Sequence, residues 1–167
     1  MRVAVVGCGA WGKNHVRTHA AIGSLAAVVD PVPAVAEAHA ATYGVEARTF
    51  EEVLDDASID GVVIAAPAAD HARLAEAALA AGKHVFVEKP LCIRPEELAE
   101  IARCVDELGD RCPVLMAGYN RRFAPATARL TRTTSSDSGT TSVCGENRPC
   151  HPRAWSRRVT VAASAPS

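Results

Sequence analysis

Three glycines near the start of the chain have a spacing that suits the binding of phosphate groups. Gly7, Gly9 and Gly12 follow the apolar run Val3 to Val6 and precede a segment whose pattern turns helical. In the pattern G-x-G-x-x-G the first glycine permits a tight turn, the second lets the backbone approach a pyrophosphate, and the third lets the helix lie close to the strand. The amino end of such a helix offers free N–H groups to phosphates. The spacing therefore predicts a dinucleotide-binding turn.

An acidic residue stands where such a turn needs one. Asp30 ends the apolar segment that begins at Leu25, eighteen residues after Gly12. A carboxylate at the end of the second strand accepts hydrogen bonds from ribose hydroxyls and repels a 2′-phosphate, and no arginine directly follows it. These residues predict NAD in preference to NADP. The alternative is that the glycines only make a sharp turn and that Asp30 only caps the next helix.

A charged pair ends a later apolar segment. Glu88 and Lys89 follow the segment His84 to Val87 and precede Pro90. The carboxyl edge of a parallel sheet is where doubly wound folds bind ligands. A lysine there could hydrogen-bond a substrate hydroxyl or hold charge near a nicotinamide ring. The alternative is a solvated lysine in a turn.

Four other residues near the glycines are candidates for chemistry. His15 and His19 lie four positions apart and could face one way, as metal ligands do. No carboxylate or third histidine joins them at a suitable spacing, so we predict no metal site and ordinary packing or surface roles. Cys8 has no base in view, so no catalytic thiol is predicted, although its N–H could approach the pyrophosphate. Trp11 is predicted to pack its helix onto neighbouring structure.

The elements that must position these residues alternate between strand and helix as far as about residue 123. Short apolar segments without polar alternation indicate strands that are buried on both faces. The predicted strands are Arg2 to Val6, Leu25 to Asp30, Gly61 to Ala66, His84 to Val87 and Pro113 to Ala117. The predicted helices are Trp11 to Ile22, Pro31 to Tyr43, Phe50 to Asp55, one that Asp70 caps and that reaches Ala81, and Pro95 to Leu108. This alternation predicts an α/β fold with a doubly wound parallel sheet and right-handed crossovers.

Composition excludes several classes of protein. The 167 residues have room for one ordinary domain, and a net charge of −1 gives no reason to expect a nucleic-acid or membrane partner. No apolar run approaches the ~20 residues of a membrane span, and Gly7 and Gly9 end the first apolar run too early for a secretory signal. The six cysteines contain no CxxC pair, which predicts free thiols in a reducing compartment. The protein is therefore predicted to be cytoplasmic.

Four segments taken together resemble a known family. They are VVGCGAWGKNHVRTHA, VVDP, AAPAADHARLAEAALAAGKHVFVEKPL and MAGYNRRFAPA. In order and spacing they resemble the N-terminal domain of the glucose-fructose oxidoreductase, inositol dehydrogenase and rhizopine-catabolism (Gfo/Idh/MocA) oxidoreductases, over residues 1 to about 127. The form GAWGKNHVR looks most like members that act on sugars or nucleotide-sugars. The resemblance implies an NAD(P)-dependent dehydrogenase that oxidises or reduces a ring hydroxyl of a sugar, cyclitol or related polyol.

The resemblance also implies roles for individual residues. Lys89 is the implied catalytic residue, which contacts the reacting hydroxyl and assists proton transfer. The implied cofactor-binding residues lie on the glycine loop, at the ends of later strands and at the crossover towards a second domain: Gly7, Cys8, Gly9, Ala10, Trp11, Gly12, Asp30, Ala66, Pro67, His71, Glu88, Asn120 and Arg121. Many family members have threonine at the position of Ala66, so one hydroxyl contact is expected to be absent here.

The last part of the chain departs from the family. Residues 128–167 are dense in Ser, Thr, Pro and Arg and have no period that could build a core, so a Rossmann domain over 1–127 is expected to be followed by an irregular or disordered tail. The family's second domain supplies the usual acid/base and the oligomer interface, and neither is recognisable here. One interpretation is a truncated dehydrogenase whose sequence is read out of frame from about Leu130. The alternatives are a short protein with a disordered tail, a non-catalytic NAD-binding module and an inactive fragment.

Overall fold

A sheet of six parallel strands forms the centre of the described domain. The computed structural model describes residues 1–120 and Ala124. The strands are β1 (Val3–Val6), β2 (Leu25–Val29), β3 (Glu46–Ala47), β4 (Gly61–Ile64), β5 (His84–Val87) and β6 (Leu115–Ala117). Their order in the sheet is β3-β2-β1-β4-β5-β6, and all neighbouring strands are parallel. The chain first builds β2 and β3 on one side of β1 and then returns to build β4, β5 and β6 on the other, which creates a crevice at the carboxyl ends of β1 and β4.

Five α-helices cover the two faces of this sheet. They are α1 (Gly12–Ala21), α2 (Pro33–Tyr43), α3 (Phe50–Asp55), α4 (His71–Ala80) and α5 (Pro95–Leu108). Local sequence accounts for several of their ends. Both α2 and α5 begin with a proline, whose missing N–H costs nothing in the first turn. A capping box between Thr49 and Glu52 starts α3, and Gly44 in the left-handed conformation ends α2.

Successive residues of each strand point to opposite faces, and each face has its own core. Val6, Ile64 and Val87 contribute to one cluster, which is completed by residues of α4 and α5. Val5 and Val63 contribute to the other, which is completed by residues of α1 and α2. Because both faces are covered, the strands carry apolar residues at almost every position. The predicted doubly wound α/β fold is confirmed.

Two local predictions are corrected by the structure. Asp70 does not cap α4 through its side chain, because it adopts a helical conformation at the end of a short 3-10 turn (Ala68–Asp70) and pairs with Arg73 at 3.2 Å. The strand β3 was not predicted. It has two residues, both exposed, so it carries no apolar signal and exists only through its pairing with β2.

The chain divides into two units, Met1–Tyr119 and Asn120–Ser167, and all the strands and helices named above belong to the first. The predicted domain boundary at residue 127, the predicted tail 128–167 and Arg121 lie outside the described residues. Within the part of the chain that the structure describes, none of the helices has the length and apolar character needed to cross a membrane.

Candidate functional site

The loop between β1 and α1 requires glycine at two positions for its own packing. Gly7 has a φ of +87°, and a Cβ placed on it would lie 2.7 Å from the backbone nitrogen of Ala66. A Cβ on Gly12 would lie 1.7 Å from the carbonyl oxygen of Gly7. Any side chain at either position would therefore push the start of α1 or the loop after β4 out of place.

The second glycine of the motif, Gly9, is not required by the packing of the loop. A Cβ on Gly9 would meet no protein atom within 4 Å, so the loop is open on that side. Among the described residues, no hydrogen-bond acceptor is found for the backbone N–H groups of Gly9, Ala10 and Trp11. Open space beside unpaired N–H groups at the amino end of a helix suits the oxygens of a pyrophosphate. The residues present thus fit the phosphates of a dinucleotide.

Asp30 is held against this loop by two backbone hydrogen bonds. The N–H of Cys8 donates to Asp30 Oδ2 at 2.8 Å, and the N–H of Val32 donates to Oδ1 at 2.9 Å. Val32 is the residue immediately before α2. Asp30 therefore accepts from an N–H that precedes the helix and does not cap an N–H of its first turn. Each oxygen keeps capacity to accept a further hydrogen bond. The acid is therefore oriented by the glycine loop and can still accept from hydroxyl groups.

The side chain of Cys8 is unsuited to nucleophilic chemistry. Cys8 is only 2% exposed. Burial, and then the nearby charge of Asp30, raise the pKa of the Cys8 thiol to about 11. The sulfur therefore stays protonated near neutral pH and acts as a small apolar group.

A second cluster forms where β5 ends. Glu88 Oε1 accepts a hydrogen bond from Trp11 Nε1 at 2.7 Å and lies 2.8 Å from His15 Nε2, while Oε2 accepts from the N–H of Lys89 at 3.2 Å. Burial raises the pKa of Glu88, but the hydrogen bonds from His15, Trp11 and Lys89 outweigh it and hold that pKa below its usual value. His15 also packs at a tilt against Phe86, with ring centroids 5.5 Å apart. The carboxylate thus joins the start of α1 to the turn that carries Lys89.

The prediction for Trp11 is wrong. Instead of packing its helix onto neighbouring structure, the residue is 58% exposed, and its indole N–H donates to Glu88. The two residues are 77 positions apart, so no local pattern could reveal the pairing. The sequence signal that was available, a large aromatic residue at the start of a helix, indicates burial more often than exposure.

His71 connects two loops at the same edge of the sheet. Its side chain is buried, with Nδ1 2.6 Å from the carbonyl oxygen of Pro90 and Nε2 2.8 Å from that of Ala66. Both ring nitrogens are therefore engaged within the protein, and His71 positions the loop after β4 against the turn after β5. Ala66 is half-buried and Pro67 is exposed.

The remaining candidates are less constrained. Lys89 is exposed, its peptide bond to Pro90 is cis, and no hydrogen bond or ion pair of its Nζ is found among the described residues. Asn120 is exposed and falls in the second unit of the chain. His19 Nδ1 lies 2.8 Å from Ser24 Oγ, while His15 faces Glu88. No group of three potential metal-ligating side chains is found among the described residues.

The residues that the structure brings together thus follow β1, β2, β4 and β5 at one edge of a parallel sheet. This arrangement is that of a nucleotide-binding domain of the Rossmann class. A family model described as "Oxidoreductase family, NAD-binding Rossmann fold" matches residues 1–116. The chain belongs to this family, the Gfo/Idh/MocA oxidoreductases, and the resemblance found from its motifs is confirmed.

Several relatives of the chain are named as inositol dehydrogenases. The chain is 40% identical over 127 residues to inositol 2-dehydrogenase of Rhizobium meliloti, covering 75% of this chain and 38% of the relative. It is 37% identical over 137 residues to scyllo-inositol 2-dehydrogenase (NAD(+)) of Bacillus subtilis, and the match covers 79% of this chain and 39% of that relative.

Two solved structures support the same relationship. UDP-N-acetylglucosamine 3-dehydrogenase GnnA from Acidithiobacillus ferrooxidans matches with a TM-score of 0.70 and 33% identity over 80% of this chain and 41% of that one. Scyllo-inositol dehydrogenase from Lactobacillus casei with bound NAD(H) and scyllo-inositol matches with a TM-score of 0.70 and 27% identity. This match covers 81% of this chain and 41% of that one. The chain therefore spans about two fifths of the length of the proteins it matches.

Proposed function

We propose that the described domain binds NAD and forms the cofactor half of a dehydrogenase site for a ring hydroxyl of a cyclitol, sugar or nucleotide-sugar. The observation that carries the proposal is the hydrogen bond from Cys8 to Asp30, because it places a carboxylate beside a glycine loop whose next three N–H groups have no acceptor in the described part of the chain. The dinucleotide bound in a related structure and the names of the relatives support the cofactor and the substrate class.

The glycine loop and Asp30 bind different parts of the cofactor. The backbone from Gly7 to Gly12 lines the pyrophosphate, and Gly9 leaves room for it. Asp30 accepts hydrogen bonds from the hydroxyls of the adenosine ribose. A 2′-phosphate would place negative charge against this carboxylate, so the site favours NAD over NADP.

Lys89 is the proposed group for the substrate hydroxyl. NAD, when bound, accepts the hydride that leaves the carbon of the substrate alcohol, while the hydroxyl proton passes to a base. Lys89 Nζ has no partner among the described residues and is exposed at the end of β5, where it can hydrogen-bond that hydroxyl. Its turn is positioned by His71 through Pro90 and by Glu88 through the N–H of Lys89. Ala66, Pro67, Asn120 and Arg121 remain predicted neighbours of the nicotinamide and the substrate.

Calorimetric titration of the full chain tests the cofactor assignment. We expect NAD to bind more tightly than NADP. Asp30→Ala is expected to weaken NAD binding by about 1–3 kcal/mol, because the ribose hydroxyls lose an acceptor. Asp30→Asn keeps an oxygen for the Cys8 N–H and removes the charge, so it should reduce the preference for NAD. Asp106→Ala, which removes an exposed carboxylate from α5, is the matched control and should change neither affinity. A folded chain that gives no heat with saturating NAD would refute the proposal.

Catalysis is tested separately with a panel of inositols and sugars, by following the absorbance of the reduced cofactor. Turnover that falls when Lys89→Met is introduced supports the dehydrogenase site and the role of Lys89. Binding of NAD without turnover of any member of the panel would restrict the function of this chain to cofactor binding.

A further inference from the structure

Trp11 is exposed, yet its indole N–H is held by a hydrogen bond. Binding of a cofactor by the loop backbone alone does not explain this arrangement. Trp11 is 58% exposed at the start of α1, although exposure of so large an apolar surface is costly. Its indole N–H donates to Glu88 Oε1 at 2.7 Å. The hydrogen bond fixes one edge of the ring and leaves much of the aromatic surface accessible.

The acceptor of that hydrogen bond is itself immobilised. The side chain of Glu88 is 15% exposed, and its two oxygens contact His15 Nε2 and the N–H of Lys89 as well as Trp11. These hydrogen bonds hold the pKa of Glu88 below its usual value, and because the carboxylate is ionised at neutral pH each of them is charge-assisted. The orientation of the indole is therefore set by a network that reaches the lysine turn.

Trp11 and Asp30 lie on opposite sides of the glycine loop. Asp30 follows β2, which neighbours β1 on one side, whereas Glu88 follows β5, which lies beyond β4 on the other. A dinucleotide whose adenosine ribose is at Asp30 and whose pyrophosphate is at the loop extends its second nucleoside over β4 towards β5. That direction leads to the indole held by Glu88.

We propose that Trp11 contacts the nicotinamide ring of bound NAD and that Glu88 is the positioning residue that holds the indole in place. This inference rests on the proposed function. The oxidised nicotinamide ring is a cation and is attracted to the electron-rich face of tryptophan, whereas the reduced ring is neutral. Trp11 therefore favours the oxidised cofactor over the reduced one.

Three ligands distinguish this role from a general effect on the loop. In the full chain, Trp11→Leu is expected to weaken NAD+ binding roughly three- to thirtyfold, the range of a cation–π contact, and to weaken NADH binding less. ADP-ribose, which is the cofactor without nicotinamide, should bind to the variant as it does to the parent protein. Ile22→Ala, which truncates a 68% exposed apolar residue just beyond the other end of α1, is the matched control and should change none of the three affinities.

The outcomes separate the two proposals. Equal losses for NAD+ and ADP-ribose would mean that Trp11 supports the phosphate loop, and unchanged NAD+ binding would mean that it makes no contact; either result overturns the inference and leaves the proposed function standing. A folded parent protein that binds none of the three ligands would overturn both. Retained ADP-ribose binding by Trp11→Leu shows that the variant is folded.

Fluorescence provides a test that leaves Trp11 in place. The chain has two tryptophans, so Trp155→Phe makes Trp11 the sole tryptophan, and excitation selective for indole avoids emission from the two tyrosines. NAD+ should quench its emission and ADP-ribose should not; equal effects of the two ligands would overturn the contact. In this background Glu88→Ala should lower the emission anisotropy of Trp11, and Glu88→Gln, which keeps an acceptor oxygen, should restore most of it. An unchanged anisotropy in Glu88→Ala would overturn the positioning role.

Discussion

At the scale of single residues, the three glycines of the first loop serve different purposes. Gly12 is required by the fold, since a Cβ there would lie 1.7 Å from the carbonyl oxygen of Gly7. Gly9 is not required by the fold, since a Cβ there would meet no atom within 4 Å beyond its two chain neighbours. A glycine that the fold does not need, next to N–H groups without partners, indicates a site shaped for a ligand.

This difference predicts opposite effects for two alanine substitutions. Gly12→Ala should lower the free energy of unfolding by about 1–3 kcal/mol, the cost of overpacking, because the new methyl group collides with backbone. Gly9→Ala should change that free energy by less than about 0.5 kcal/mol and should instead weaken NAD binding. Chemical denaturation and calorimetry of both variants measure the two quantities. Loss of stability in Gly9→Ala of the same size as in Gly12→Ala would contradict this interpretation.

At the scale of elements, the contact between α4 and α5 contains a poorly satisfied carboxylate. Glu76 of α4 has one oxygen, Oε1, that is buried without a hydrogen-bond partner among the described residues. Burial, and then the charge of Glu100, raise the pKa of Glu76; Glu97 adds to the shift and Arg103 opposes it. Ionised Glu76 therefore weakens the packing of these two helices at neutral pH.

Glu76→Gln should consequently stabilise the protein at neutral pH, by about 0.5–1 kcal/mol. The pKa of Glu76 is raised in the folded state, so its unfavourable effect develops as pH rises through that value and is absent below the usual pKa of glutamate. The advantage of the variant should thus shrink towards zero as the pH falls to about 4. Thermal unfolding of the variant and the parent protein between neutral pH and about pH 4 measures this difference in stability. Glu37→Gln, on the exposed face of α2, is the control and should show no such trend; an advantage independent of pH would refute the explanation.

At the scale of the whole molecule, every strand and α-helix that the structure describes lies in the first unit of the chain. Within the described residues, the six strands and the two hydrophobic clusters lie between positions 1 and 120. The topology places every described loop of the candidate site at one edge of that sheet.

We therefore predict that a chain ending at residue 127 folds and binds NAD as the full chain does. Its free energy of unfolding should lie within about 1 kcal/mol of the parent value, because the buried apolar surface of the two clusters is retained. Denaturant unfolding and NAD titration of both chains provide the comparison. A shortened chain that fails to unfold cooperatively would show that residues 128–167 contribute to the domain.

The sequence by itself determined five of the six described strands, most helix ends and the G-x-G-x-x-G loop with its acid, because each of these is encoded in neighbouring residues. Buried strands such as β1 and β4 carry consecutive apolar residues, and Pro33 and Pro95 mark where helices begin. The two-residue strand β3 could not be predicted, because its exposed residues carry no periodic signal.

Only the tertiary structure decided which side chains meet at the carboxyl edge of the sheet. The pairing of Trp11 and His15 with Glu88, and the contact of His71 with Pro90, join residues that are far apart in the chain. Such contacts depend on the order of the strands and on the crossovers that bring separate loops together, and no local pattern of residues records either. The exposure of Trp11, which contradicts its apolar character, follows from the same cause.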